Sequence, residues 1–78
     1  MTRKLIIKNN IRRLRFFANE MTQLELSEKA GISRQTVVAL EAGKYTPSLE
    51  MAFRIADAFG VSLEQVFERV TEENGSRQ

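Results

Sequence analysis

The sequence predicts an all-α fold of five short helices, and three observations carry that expectation. Apolar residues recur at helical spacing in five segments. A Ser, Thr or Asn stands before each segment, and a glycine follows three of them. The chain has 78 residues and no cysteine, so neither a disulfide nor a thiolate-bound metal can hold it together. A single domain of this size buries only about 60–65% of its unfolded surface, and local helix packing is the efficient way to stabilise it.

The first helix is expected over 9–18, with Ile11, Leu14 and Ala18 on one stripe, Phe17 beside it, and Asn9 or Asn10 as the cap. The second is expected over 23–30. Thr22 and Glu25 have the spacing of a capping box, in which each side chain satisfies the other's backbone amide. Leu26 and Ala30 form its inner face, and Gly31 ends it. The third, over 34–42, is capped by Ser33, with Val37 and Leu40 inward and Gly43 beyond its end. The fourth, over 49–59, follows Ser48, carries Glu50 in its first turn where the helix dipole favours an anion, and presents Leu49, Ala52, Phe53, Ala56 and Phe59 as an apolar stripe. The fifth, over 63–70, starts at a second capping pair, Ser62 and Gln65, and turns Leu63, Val66, Phe67 and Val70 inward. Three segments are thus expected: a basic and apolar head over 1–8, the helical domain over 9–70, and a polar tail over 71–78 that frays. The head contains the β-prone run Leu5-Ile6-Ile7, which could pair with an extended stretch near 69–73 or with a second copy of the chain.

Composition removes several classes of function. Histidine and cysteine are both absent, which takes away the commonest general base and the commonest soft metal ligands. No glycine-rich phosphate loop follows a strand pattern, and no two acids are spaced for shared chemistry. No enzyme and no cofactor is expected. The start Met1-Thr2-Arg3-Lys4 is basic and an apolar stretch follows, but Lys8 interrupts it after three residues, too soon for a signal peptide. No run approaches the roughly 18–20 apolar residues of a membrane span, and no lipidation site accompanies the basic front, so no membrane partner is expected. The lack of cysteine fits the cytoplasm. The 78 residues leave no room for a separate effector domain, so no small-molecule ligand is implied.

Charge points toward an anion. The formal net charge is only +2, yet residues 1–19 hold Arg3, Lys4, Lys8, Arg12, Arg13 and Arg15 and no acid. Such a front suits a polyanionic partner as well as it suits a solvated helix face. The stretch from Thr22 to Glu41 narrows the choice, because two short helices joined by Gly31-Ile32-Ser33 make a helix-turn-helix. Its second helix should protrude, and a protruding helix fits the DNA major groove, about 12 Å wide. Spacing groups Arg34, Gln35, Val38 and Ala39 on the side away from Val37 and Leu40. Arg34 matches the acceptor pair of guanine, Gln35 the donor and acceptor of adenine, and Val38 a thymine methyl, while Ala39 allows close approach. Gln23, Ser33, Thr36, Lys44, Tyr45 and Thr46 surround that helix and offer donors to phosphates.

These residues resemble the Cro and phage-repressor-like regulators, the xenobiotic-response-element family. The similarity runs from Ile11 to Phe67 and is carried by Ile11-Arg12-Arg13-Leu14-Arg15, Met21-Thr22-Gln23, Gly31-Ile32-Ser33-Arg34-Gln35-Thr36, Leu40-Glu41-Ala42-Gly43-Lys44-Tyr45, Pro47-Ser48-Leu49-Glu50 and Phe59-Gly60-Val61-Ser62-Leu63. The resemblance implies a compact five-helix, lambda-repressor-like DNA-binding domain and a repressor that docks on double-stranded operator DNA as a homodimer over a palindrome. It also implies an ion pair between Arg15 and Glu41. The alternative is an antitoxin or anti-repressor whose main partner is another protein. Two departures stand out. Phe16-Phe17-Ala18-Asn19-Glu20 is one residue longer than the common spacing before Thr-Gln, so one phenylalanine is expected against Leu5–Ile7 or at a dimer contact. Leu24 replaces a usually polar residue and is expected to be exposed.

Overall fold

The computed structural model describes residues 4–72 of the chain. Strand β1 (Lys4–Asn9) leads into α1 (Ile11–Phe17), α2 (Gln23–Ala30), α3 (Arg34–Glu41), α4 (Leu49–Phe59) and α5 (Leu63–Val66), and strand β2 (Phe67–Glu72) follows directly. The fold is therefore mostly helical, with a two-stranded antiparallel sheet among the described residues. The expected polar tail begins inside β2, and from residue 73 onward it lies outside the described residues.

Local chemistry sets most helix starts. Thr22 accepts the Glu25 amide at 3.0 Å while Glu25 accepts the Thr22 amide at 2.8 Å, completing the box before α2. Ser33 and Ser48 cap α3 and α4 by accepting the amides of Thr36 and Met51. Gln65 accepts the Ser62 amide at 3.0 Å before α5. At α1 the backbone cap is Asn10, but the capping acceptor is Asn9 Oδ1, which takes the Ile11 amide at 3.1 Å.

The fifth helix is shorter than its apolar spacing suggested. It stops at Val66, and Phe67 turns to an extended conformation with φ −121° and ψ 128°. Two of its last carbonyls are taken from outside: the Asn10 amide donates to Val66 O at 2.8 Å and Asn10 Nδ2 donates to Gln65 O at 3.0 Å. The following residues pair with β1 in the register Ile6↔Val70, Ile7↔Arg69, Lys8↔Glu68 and Asn9↔Phe67. Val70, expected in the core, instead sits exposed opposite Ile6 as a cross-strand pair. The head thus finds its strand partner within the same chain.

The core gathers Ile11, Met21, Leu26, Ala30, Val37, Leu40, Ile55, Ala56 and Val66. Ile55 and Met21 join it, neither of them among the inward residues expected from spacing. Leu49 and Phe53, expected to be inward, are 67% and 49% exposed. The reason is geometric. At 100° per residue the buried line on α4 is centred on Ala52, Ile55, Ala56 and Phe59, and Leu49 and Phe53 fall on its flank.

The long link between α1 and α2 is absorbed by a tight backbone reversal. Asn19 and Glu20 both take positive φ, 63° and 57°, a conformation uncommon for residues with a side chain. The reversal returns the Met21 amide to Arg15 O at 2.9 Å and puts Met21 into the core. Phe16 and Phe17 remain 62% and 73% exposed, and they meet edge to face with ring centroids 5.4 Å apart. Both lie on the side of α1 turned from Ile11, so within the chain neither is buried against the Leu5–Ile7 strand.

Gly31 shows where the backbone itself limits the sequence. Its φ is +72°, and a Cβ placed there would lie 3.0 Å from the Arg54 guanidinium. Arg54 can swing aside, so the left-handed backbone sets the cost, about 1–2 kcal/mol. Gly31→Ala is expected to lower unfolding free energy by that amount, measured by urea denaturation. An unchanged midpoint would show that the turn relaxes.

Candidate nucleic-acid interface

Burial of one side of α3 dictates what the other side can do. Val37 and Leu40 are in the core beside Leu26 and Ala30 of α2. With those residues inward, Arg34 and Gln35 are exposed, Val38 is 41% exposed and Ala39 is half-buried. The four residues expected to meet bases therefore lie along one surface stripe, narrowing toward Ala39. No other element of the described chain covers Arg34, Gln35 or Val38.

The groups expected at phosphates fall into two sets. Lys44, Tyr45 and Thr46 are exposed in the loop beyond the C-terminal end of α3. Tyr45 and Thr46 share the wall of a groove of about 260 Å³ with Ile6, Ile7 and Phe67, so the strand pair flanks that loop.

At the other end of α3, Ser33 and Thr36 are partly committed to the helix itself. Ser33 Oγ accepts the Thr36 amide at 3.0 Å, and the two hydroxyls lie 2.8 Å apart in a mutual bond. One hydroxyl proton of the two is used there, leaving the other for an outside acceptor. Gln23, at the start of α2, donates Nε2 to Glu41 Oε1 at 3.2 Å, which leaves the second amide proton of its side chain unused by this bond.

Glu41 is the centre of a network behind this surface. Arg15 Nε donates to Glu41 Oε2 at 2.6 Å and Arg15 Nη2 donates to Oε1 at 3.1 Å. The remaining guanidinium nitrogen, Nη1, donates to Met21 O at 2.8 Å. Their side chains are only 16% and 11% exposed. The fork ties α1, the turn after it, the start of α2 and the end of α3 together. The place of Gln23 in this network was not legible from spacing, because eighteen residues separate it from Glu41.

A sequence profile of the helix-turn-helix family matches residues 11–66, and the chain belongs to that family. Within it, the chain is of the Cro- and phage-repressor-like, xenobiotic-response-element class of DNA-binding regulators. It is 49% identical over 61 residues to an uncharacterized HTH-type transcriptional regulator of Methanocaldococcus jannaschii, covering 78% of this chain and 91% of the relative. A similarly named protein of Methanothermobacter thermautotrophicus is 47% identical over 58 residues, covering 73% of this chain and 81% of its own. The uncharacterized HTH-type transcriptional regulator YgzD of Bacillus subtilis is 43% identical over 61 residues, again 78% and 91% of the two chains. No helix of the described residues is long and apolar enough to cross a membrane.

Removing one half of a largely buried ion pair strands the other charge. Glu41→Ala should cost stability toward the lower end of roughly 3–5 kcal/mol, since both groups keep some water. The double change Arg15→Met with Glu41→Leu should cost much less, because no charge is left behind. Urea denaturation of both variants checks this, and equal losses would show that the network acts through packing alone.

Proposed function

We propose that this protein is a sequence-specific transcriptional repressor that reads the major groove of duplex DNA with α3 and binds a palindromic operator as a homodimer in the cytoplasm. The observation that carries the reading is the stripe of Arg34, Gln35 and Val38, exposed on a helix whose other side is held by Val37 and Leu40. Arg34 donates its fork to a guanine, Gln35 pairs its amide with an adenine, and Val38 covers a thymine methyl, with Ala39 letting the backbone approach. Gln23, Ser33 and Thr36 at one end of α3 and Lys44, Tyr45 and Thr46 beyond the other end hold phosphates and fix the register. No cofactor takes part, and occupation of a promoter is enough to block transcription. A second copy would cover some of the apolar surface left open on α4 at Leu49 and Phe53.

A second reading draws on the exposed Phe16–Phe17 pair, which suits a protein partner and so an antitoxin or anti-repressor role. Salt separates the two. Binding to DNA weakens log-linearly as released counterions accumulate, whereas an apolar protein contact responds weakly.

Selection of bound duplexes from a random pool should return a palindrome whose half-sites are spaced by whole helical turns. An enriched single half-site would remove the dimer from the proposal. Arg34→Ala should cost about 1–3 kcal/mol of specific binding and relax preference at one base pair. An unchanged site profile would take Arg34 out of the base-reading set. Lys44→Ala should weaken binding to all sequences about equally and reduce the salt slope by about one. A sequence-dependent loss would move Lys44 to the bases.

A further inference from the structure

Three arginines follow closely on α1, and the fold gives each a different surrounding. Arg15 is forked onto Glu41 and largely buried. Arg12 and Arg13 are both exposed, and among the described residues neither forms an ion pair. They differ in direction. Arg12 lines an open groove of about 520 Å³ together with Thr22, Gln23, Arg34 and the Arg15–Glu41 pair, and Arg13 does not.

The charge of that groove follows from its walls. Glu41 is its one acid, and Arg15 neutralises it through two hydrogen bonds. Among the described residues the guanidinium groups of Arg12 and Arg34 form no ion pair, and both line the groove with Thr22 and Gln23 at the start of α2. Thr22 Oγ accepts the Glu25 amide and retains its own proton to donate. The groove therefore offers hydrogen-bond donors and uncompensated positive charge. It also adjoins the first residue of the base-reading stripe, so a duplex lying on α3 would run its backbone past it.

We propose that Arg12 is a DNA contact, holding one backbone phosphate in the groove between α1 and the start of α2 while Arg34 stays available to a base. The inference rests on the docking of α3 proposed above. A guanidinium suits the task because it meets two phosphate oxygens with two parallel N–H groups. Arg13, a neighbour in sequence, has no part in the contact. Arg15, which lines the same groove, contributes through the position of Glu41 rather than through a phosphate. The basic front end thus divides into one contact, one structural arginine and one solvated arginine.

The test is a salt titration of the full-length protein on its selected duplex, with wild type, Arg12→Ala, Arg12→Lys and Arg13→Ala compared. Neutralising one phosphate contributes about 0.9 to the slope of log affinity against log salt. Arg12→Ala should flatten the slope by about that amount and weaken binding roughly five- to ten-fold near 0.1 M salt, with base preference unchanged. Arg12→Lys should keep the slope, and Arg13→Ala should match wild type. A thermal melt should place both alanine variants near wild type, since each side chain is exposed. An Arg12→Ala slope equal to wild type overturns the proposal and leaves the reading of α3 standing. Equal flattening by Arg12→Ala and Arg13→Ala also overturns it, showing diffuse attraction in place of a seated phosphate. Failure of wild type to retard any duplex at low ionic strength overturns the docking reading itself.

Discussion

The bidentate contact between Arg15 and Glu41 is the constraint on which this small domain turns. A helix of eight residues has little stability of its own, because forming the first turn is costly and few bonds follow. α3 persists because it is held from behind by Val37 and Leu40 and anchored at its last residue by a charge-assisted fork. The same guanidinium donates to Met21 O, so the turn between α1 and α2 is fixed by the group that fixes α3. Gln23 adds a third donor to Glu41. One carboxylate thereby sets the relative positions of three helices, and any surface that α3 presents inherits its placement from that point.

The extra residue before Thr22 shows how such a network tolerates a change of length. Asn19 and Glu20 take successive left-handed conformations, which shortens the path and returns the chain to Arg15 in time for Met21 to enter the core. The residue type least expected there is glutamate, since asparagine is several-fold enriched at positive φ and glutamate is not. The strain is localised next to the two exposed phenylalanines, on the side of α1 away from Ile11.

Much of this architecture was legible in the sequence, and what was not has a common cause. Thr22–Glu25, Ser33, Ser48 and Gly31 act over three or four residues, so spacing alone located α2, α3 and α4. The fifth helix is shorter than its spacing implies because Leu63, Val66, Phe67 and Val70 satisfy a helical period whether or not the helix continues. Its end is dictated by Asn10, more than fifty residues away, which takes its last carbonyls. Likewise the width of the apolar stripe on α4 was visible, but its centre was not, since only the neighbours on α2 and α5 decide that Ile55 is inside and Phe53 is not. At the candidate interface, the exposed stripe from Arg34 to Val38 follows from helical period and a buried back face. The sorting of Arg12, Arg13 and Arg15 does not, because it depends on what each guanidinium faces in three dimensions.

The strand pair joins the two ends of the described chain, with Asn9 opposite Phe67. Closing a loop of that length costs chain entropy that rises only with the logarithm of its size. Its alignment matters more than its strength. Asn9 Nδ2 reaches Leu40 O at 2.8 Å, bolting the end of β1 to the last turn of α3. In a ribbon, sliding by one residue turns every side chain to the opposite face. Such a slip would turn the Asn9 side chain away from Leu40 O, so strand alignment and this anchor on the last turn of α3 are gained or lost together.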